Sequence, residues 1–519
     1  MKHPTLIILL LLVAFSGIAQ RKVKLKQAET LRGSMQDGTR VDWVLGNVIF
    51  KQNETTIHCD SAIFNRSKNT IEAFGRVRIV DGDSVTVTAS RLTYDGNKKM
   101  AFLRRNVVFT KLATATLYTD FLDYDRANAK ARYFNKGKLV DSTNVLTSEK
   151  GYYNLRTNLA SFKTDVVAVN KENTLKSDTL QYHSKTKVIF FRAHTEVRDK
   201  NDRVGYYEQG FYDTKSKTSD LAKGDFETPK YKLRGTTLYL DDIKQYYRAV
   251  GDVVMTSKEE NMVIYGDDGF YDKKNLKSKV HGHAYVARVD DNLDTLFISA
   301  DTLVSIDSDN PAKKRLLAYR NVRVFKSDLQ GRADSLAYVA SDSTIYFYGD
   351  PVLWTEGNQM TADSISVLLV KKKINKIYMV SSAFVASTDS LKNFNQIKGR
   401  IMTAYFDDKN IHHVVVQGNG ESIYFALQDI EDKLNDSTTV HVSIVSGMNK
   451  IICSNMKINF RTGKIHDISF YVKPDASFIP PQELKPEESI LRGFQWRAAE
   501  RPTRATVSSP KPPVTAENQ

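Results

Sequence analysis

The chain has 519 residues, with 75 Lys and Arg against 60 Asp and Glu and a formal charge of +15 at pH 7. Its two cysteines, Cys59 and Cys453, are too few for a disulfide framework, so packing and strand pairing must hold the fold and both thiols are expected free. The positive balance suits an anionic partner, and beyond the amino terminus no stretch approaches the roughly 18 consecutive apolar residues of a membrane span.

Residues 1–19 read as a signal peptide. Lys2 precedes an apolar run from Leu6 to Phe15, and the small residues Gly17 and Ala19 suit cleavage after Ala19. No Cys near that point would take a lipid anchor, so the mature chain is expected to be an exported, soluble protein of the periplasm, with association with the outer membrane left open. Export argues against nucleic acid as the anionic partner.

From residue 20 to 420 one unit recurs. An acidic or small polar residue is followed four positions later by an aromatic: Asp60 and Phe64, Ser90 and Tyr94, Asp120 and Tyr124, Glu149 and Tyr153, Asp178 and Tyr182, Glu208 and Tyr212, then Asp267 and Tyr271 and Asp334 and Tyr338. From Phe64 to Tyr212 the aromatic returns every 29 or 30 residues, which is a structural period. Weaker copies at Asp301 and Asp363 bring the count to about a dozen.

Within each unit the apolar residues alternate. Val48 and Phe50, Val77 and Ile79, and Val107 and Phe109 form one set; Leu92 and Tyr94, Leu122 and Tyr124, and Leu180 and Tyr182 form the other. Period two means strands with one buried face, so the fold class is all-β, a stack of β-repeats elongated in one dimension. Turn-formers separate the strands, as in Asp95-Gly96-Asn97-Lys98-Lys99, and stacking would align Lys68, Lys98, Lys130, Lys185, Lys215 and Lys273 along one edge. Such a stripe either keeps the turns and sheet edges soluble or acts as a rail for phosphates.

Residues 421–473 keep a looser β pattern. Of 12 prolines, eight fall between Pro474 and Pro513, so 474–519 is expected to be a Pro-rich tail.

Gly46-Asn47-Val48, then Ser61-Ala62 after Asp60, then Ala73-Phe74-Gly75-Arg76-Val77 resemble the repeat of the OstA/LptA family, and Gly251-Asp252-Val253, Ala300-Asp301, Ala333-Asp334 and Ala362-Asp363 match too. The resemblance covers most of residues 20–420. It implies a twisted antiparallel jellyroll whose two sheets gape into a groove, or at the least a β-solenoid, carrying lipopolysaccharide across the periplasm. The inward residues Val48 to Tyr182 named above would then line an apolar groove for acyl chains, and the six turn lysines would hold the phosphorylated head at its rim. The partners implied are lipopolysaccharide or a similar anionic lipid and other envelope transport components, with end-to-end self-association of copies left open.

The recurring acids invite comparison with glycosidase carboxylates, but a catalytic pair is needed once, whereas Asp60, Asp120, Asp178, Asp301, Asp334 and Asp363 hold one slot repeatedly. They are expected to accept backbone N–H groups at strand starts. His281 with His283 and His412 with His413 lack further ligands for a metal. No phosphate loop, nucleophile elbow or zinc motif occurs, so no catalytic residue, metal or cofactor is expected. A polysaccharide-acting β-helix enzyme and a structural envelope solenoid are the alternatives to a lipid carrier.

Overall fold

The computed structural model describes residues 22–508 apart from 37, 112–114, 201–202, 228–230, 259–260, 290–292, 356, 372, 408–409, 436–437 and 462–463; for 231, 431–441 and 464 it describes the backbone alone. The expected signal peptide, residues 1–19, lies outside the described residues. With 74% strand and 4% helix the chain is all-β, as the alternation of its apolar residues requires.

The strands form two compact units, one running to Asn201 and taking in Tyr207–Lys215, the other comprising Asp202–Tyr206 and Ser216 onwards. In the first unit successive strands pair antiparallel with the next: Thr39–Gln52, Thr55–Asn65, Thr70–Asp81, Val85–Asp95, Met100–Lys111, Ala115–Asp125 and Lys130–Asp141. Alternate strands carry two consecutive residues with positive φ at their middle. These are Gly46 and Asn47, Gly75 and Arg76, Arg105 and Asn106, and Asn135 and Lys136.

The ladder explains the pairs. Leu45 faces Ser61 and Val48 faces Cys59, so Gly46 and Asn47 together oppose the single residue Asp60. This is a β-bulge, which bends the strand that carries it. On the partner strand the buried residues run Ile57, Cys59 and then Ala62, Phe64, a change of parity across Asp60 that turns both arms of the bent strand inward.

A ring contact proves the bend. Phe50 pairs with Ile57, which on a flat strand would lie about 23 Å from Phe64, seven residues on. The two rings instead meet edge to face at 5.2 Å. Phe109 and Tyr124 repeat the contact at 5.7 Å. Each strand therefore contributes to both layers of a folded-over sheet, with the bulges as its crease and two rows of hairpin turns along its lips.

Left-handed backbone costs a non-glycine residue roughly 1–2 kcal/mol, and the opposing polar residue offsets part of that. Asp60 binds Arg76 at 2.8 Å, Asp120 accepts the backbone N–H of Asn106 at 2.9 Å, and Asp301 accepts the amide of Asn321 at 3.1 Å. At Gly75 the approach is so close that an added Cβ would collide with the Asp60 carboxylate. Most of the repeating acids thus sit at mid-strand, opposite the bulges, and not at strand starts as expected, because the strand runs straight through the crease; Asp363, just before the strand Ser364–Val370, is at a strand start.

The second unit is built alike. Gly251 and Asp252, Gly282 and His283, Arg320 and Asn321, and Ser381 and Ser382 crease its strands, and Ala284, Val322, Leu336, Phe347, Ile377 and Met402 belong to its core. A long hairpin, Asn410–Asn435 with Thr438–Arg461, follows, and Asp475–Ile479 pairs with its second strand.

Residues 480–508, part of the stretch expected to be a tail, then run back over this unit as a strap of short 3-10 turns, Pro481–Glu483, Pro486–Ser489 and Ala498–Glu500, ending in the five-residue helix Arg504–Ser508. The strap lies on the outer face of the sheet. Met360 and Ile397 point into the core, so by alternation their neighbours Gln359 and Gln396 point outward, yet both are buried. Gln396 donates to Ser489 O at 2.9 Å and accepts from Leu491 N at 2.9 Å; Gln359 does the same with Gln495 O and Arg497 N, both at 2.6 Å. Arg501 reaches Gln330 Oε1 at 2.8 Å. Between these ties Leu491, Phe494 and Trp496 pack on Phe384, Phe394 and Phe425.

Candidate functional site

All twelve inward residues expected to line a groove fall in the interior of the first unit, each at most 2% exposed. The crease divides them into facing sets. Val48, Phe50, Val77, Ile79, Val107 and Phe109 lie on one arm, and Leu92, Tyr94, Leu122, Tyr124, Leu180 and Tyr182 on the other. The six lysines of the expected rim are all exposed, at hairpin turns or, for Lys130, at the first residue of its strand. Lys98 lies 3.8 Å from Asp95, a surface pair of little consequence.

What periodicity did not reveal is the closure of the lips. The inward face does not end in an apolar residue: Gln52, Asp81, Lys111 and Asp141 follow Phe50, Ile79, Phe109 and Leu139 by two, and so point inward at the turns. Each reaches across to the opposite row of turns. Gln52 donates to Gly96 O at 2.8 Å and accepts from Tyr94 OH at 2.5 Å. Asp81 accepts from Arg126 at 2.9 Å and from Tyr124 OH at 2.7 Å, while Arg126 also donates to Tyr94 OH at 2.7 Å. Lys111 Nζ donates to Leu155 O at 2.6 Å and Asn158 Oδ1 at 2.7 Å. Asp141 accepts from Lys187 Nζ at 2.8 Å and from Tyr182 OH, and Val23 N caps the series on Asn69 Oδ1 at 2.9 Å. The polar residue at the end of an otherwise apolar inward series was the signal in the sequence.

These rungs shape the titration of their members. Burial alone would raise the Asp141 carboxyl, but the Lys187 ammonium, the Tyr182 hydroxyl and the N–H groups of Thr143 and Asn144 outweigh it and hold it at about 2. Asp81 is likewise lowered, burial being outweighed by Arg126, Thr55 and Tyr124. Burial pushes the Tyr124 and Tyr182 phenols up, with the adjacent carboxylates adding to it, and lowers Lys111. Asp81 and Asp141 are therefore ionised and Tyr124 and Tyr182 neutral at neutral pH.

Between the two ionic rungs the interior is incompletely filled. A small cavity, partly open to solvent and with a volume of about 20 Å³, is lined by Phe109, Lys111, Leu117, Tyr133, Tyr153 and Phe162 among others. Tyr133 lies over Gly137 and Gly151, where any side chain would collide with its ring, and its hydroxyl meets Ser148 at 2.6 Å.

The other candidates resolve into structural contacts. His281 lies 3.3 Å from Asp268, His283 lies 2.5 Å from Asp267, and His412 meets His413 at 2.6 Å. Among the described residues no group of three or more His, Cys, Asp or Glu gathers to hold a metal, and no helix is long and apolar enough to cross a membrane. Cys59 and Cys453 are both free and buried, and burial, aided by Asp60, pushes the Cys59 thiol up to about 12.

No curated protein matches the chain. Among solved structures it is similar to LptH of Pseudomonas aeruginosa, described as the LptA-homologous periplasmic component of the conserved lipopolysaccharide transport device; the match has 16% identity, covers 23% of this chain and 82% of that one, and has a TM-score of 0.20. The family model of the OstA-like proteins matches residues 20–178, a stretch of creased strands that includes Gln52, Asp81, Lys111 and Asp141 of the lip rungs. Over residues 20–178 the chain is therefore similar to the OstA-like proteins.

Proposed function

We propose that the chain is a non-catalytic periplasmic carrier or bridge for lipopolysaccharide or a similar anionic lipid, whose acyl chains occupy the space between the two arms of the first unit. The observation that carries this is the facing of two apolar sets, Val48 to Phe109 and Leu92 to Tyr182, across one interior that continues from repeat to repeat. An acyl chain gains about 0.8 kcal/mol for each CH₂ taken out of water, and a trough of repeating apolar segments lets it move without a change of environment. The exposed turn lysines supply a rim that attracts phosphate. Its partners would be the other components of the same transport route and, end to end, further copies of itself.

A second reading, a structural solenoid, is favoured by the edge-to-face packing of Phe50 on Phe64, since rings in contact leave no room for a chain unless the arms part. Photo-crosslinkers decide between them. Placed at Phe109 and Tyr124 in cells making lipopolysaccharide, they should capture the lipid, and one at outward-facing Thr93 should not. Equal labelling at both kinds of site, or none at either, would leave the solenoid.

A further inference from the structure

We propose that the polar ladder along the lips of the first unit is a clasp that must part for an acyl chain to enter, with Asp81–Arg126 and Asp141–Lys187 as its ionic fastenings. The proposal rests on the carrier reading and adds the route by which the lipid reaches the interior.

Position is the first argument. Along the crease the two arms are continuous strand, so the arms can separate sideways only at the turns, and every rung sits there: Gln52 to Gly96, Asp81 to Arg126, Lys111 to Leu155 and Asn158, Asp141 to Lys187. Chemistry is the second. Behind the rungs the interior is apolar, and a permanently shut sandwich would be sealed at least as well by apolar side chains, because the desolvation of a buried ion pair consumes much of its attraction. Polar rungs instead can be traded for water one at a time, which makes opening stepwise.

The third argument is that the ligand carries the replacement partners. Arg126 and Lys187 are the cations of the two fastenings, and a phosphate arriving at the lip offers each of them an anion in place of Asp81 or Asp141. Lys111, whose ammonium stands at the rim of the cavity between the two fastenings, lies where the first CH₂ groups would pass. Head and tail of one amphipathic anion thus find partners on the two sides of the opened clasp.

Bridging the lips tests this directly. In the full mature chain with Cys59→Ala and Cys453→Ala, Asp141→Cys and Lys187→Cys would be joined by a cleavable bis-maleimide, and uptake of a dansyl-labelled fatty acid followed by fluorescence. Bridging should slow uptake about tenfold or more, and cleavage of the linker should restore it. Uptake unchanged by the bridge overturns the clasp while leaving the carrier intact. If neither wild type nor unbridged variant takes up the probe or lipopolysaccharide, the carrier reading falls and the clasp with it. A second, gentler variant, Asp81→Asn with Asp141→Asn, should speed uptake several-fold and quicken amide exchange at the turns near 82–84 and 142–144 but not at the bulges near 75–76 and 135–136. Exchange that rises equally at turns and bulges would mean general loosening and would count against the clasp.

Discussion

The outer faces of the two units, both built from creased strands, differ in burial: one is at the surface and the other is covered. In the first unit the arm that carries Val48, Ile79 and Phe109 presents Thr56, His58, Arg78, Thr86, Thr88 and Lys138 to the surface, interleaved with Ile49, Val80, Val108 and Tyr118, each half-buried or exposed. In the second unit the corresponding face carries Phe297, Trp354, Gln359, Phe384 and Gln396, all buried, with the strap lying across it. A face on which Thr, Arg and Lys alternate with scattered apolar side chains can stay at the surface, whereas one bearing Trp, Phe and amides is covered. The backbone scheme sets the crease and the interior; the alternate residues, free of that duty, decide whether a third layer forms.

Removing the strap is the hardest blow to this contrast. Truncation after Ile479 uncovers the partners of Leu491, Phe494, Trp496 and Val507, and at about 1.5–3 kcal/mol for each large side chain the second unit should lose roughly 6–12 kcal/mol. Hydrogen exchange should then show the second unit unprotected and self-associating while the first keeps its protection. Equal loss in both would show that the strap has a wider role than covering one face.

A single-residue version follows. Gln396→Ala leaves Ser489 O and Leu491 N without their amide partner and should cost about 2 kcal/mol, read as a lower denaturation midpoint of the second unit. Arg78→Ala, on the bare face of the first unit, should change stability by less than about 0.5 kcal/mol.

Acid separates the two kinds of tie. The Asp141 carboxyl is held at about 2 against an ordinary 3.8, so its fastening contributes fully above the ordinary value and is lost as pH falls through about 2. Lys187, Tyr182 and the N–H groups of Thr143 and Asn144 are the groups that face it. The Gln359 and Gln396 ties of the strap involve no titrating group, so between pH 4 and pH 2 the Tyr182 ring signals should shift while those of Trp496 hold still. The smallest effect belongs to the turn lysines: Lys68→Ala should leave stability within about 0.5 kcal/mol and weaken lipid binding modestly, and only at low salt.

Much of this molecule could be read before its fold was seen. Alternation placed Val48, Phe50, Tyr94 and Tyr124 on a buried face, and the recurring acid marked a repeated place in the backbone. That this place is a bulge could not be read, because the two-against-one register of Gly46 and Asn47 with Asp60 depends on how neighbouring strands pair. The lip ladder was hidden for the same reason: Asp81 and Arg126 stand 45 residues apart and meet only once the sheet is folded over. The strap was obscured by composition, since Pro474, Pro480, Pro481 and Pro486 mark an unstructured tail as readily as a segment held by Gln359 and Gln396.

The crease has a consequence for growth. Because each strand serves both layers, a duplicated pair of strands extends the two layers and the space between them together, by about 9.6 Å at two strand spacings. No layer is left unmatched, no new crossover is needed, and the duplicated acid brings its own support for the duplicated bulge. Such a chain can be lengthened or shortened in whole repeats, and its length becomes a dimension that duplication tunes without redesigning the core.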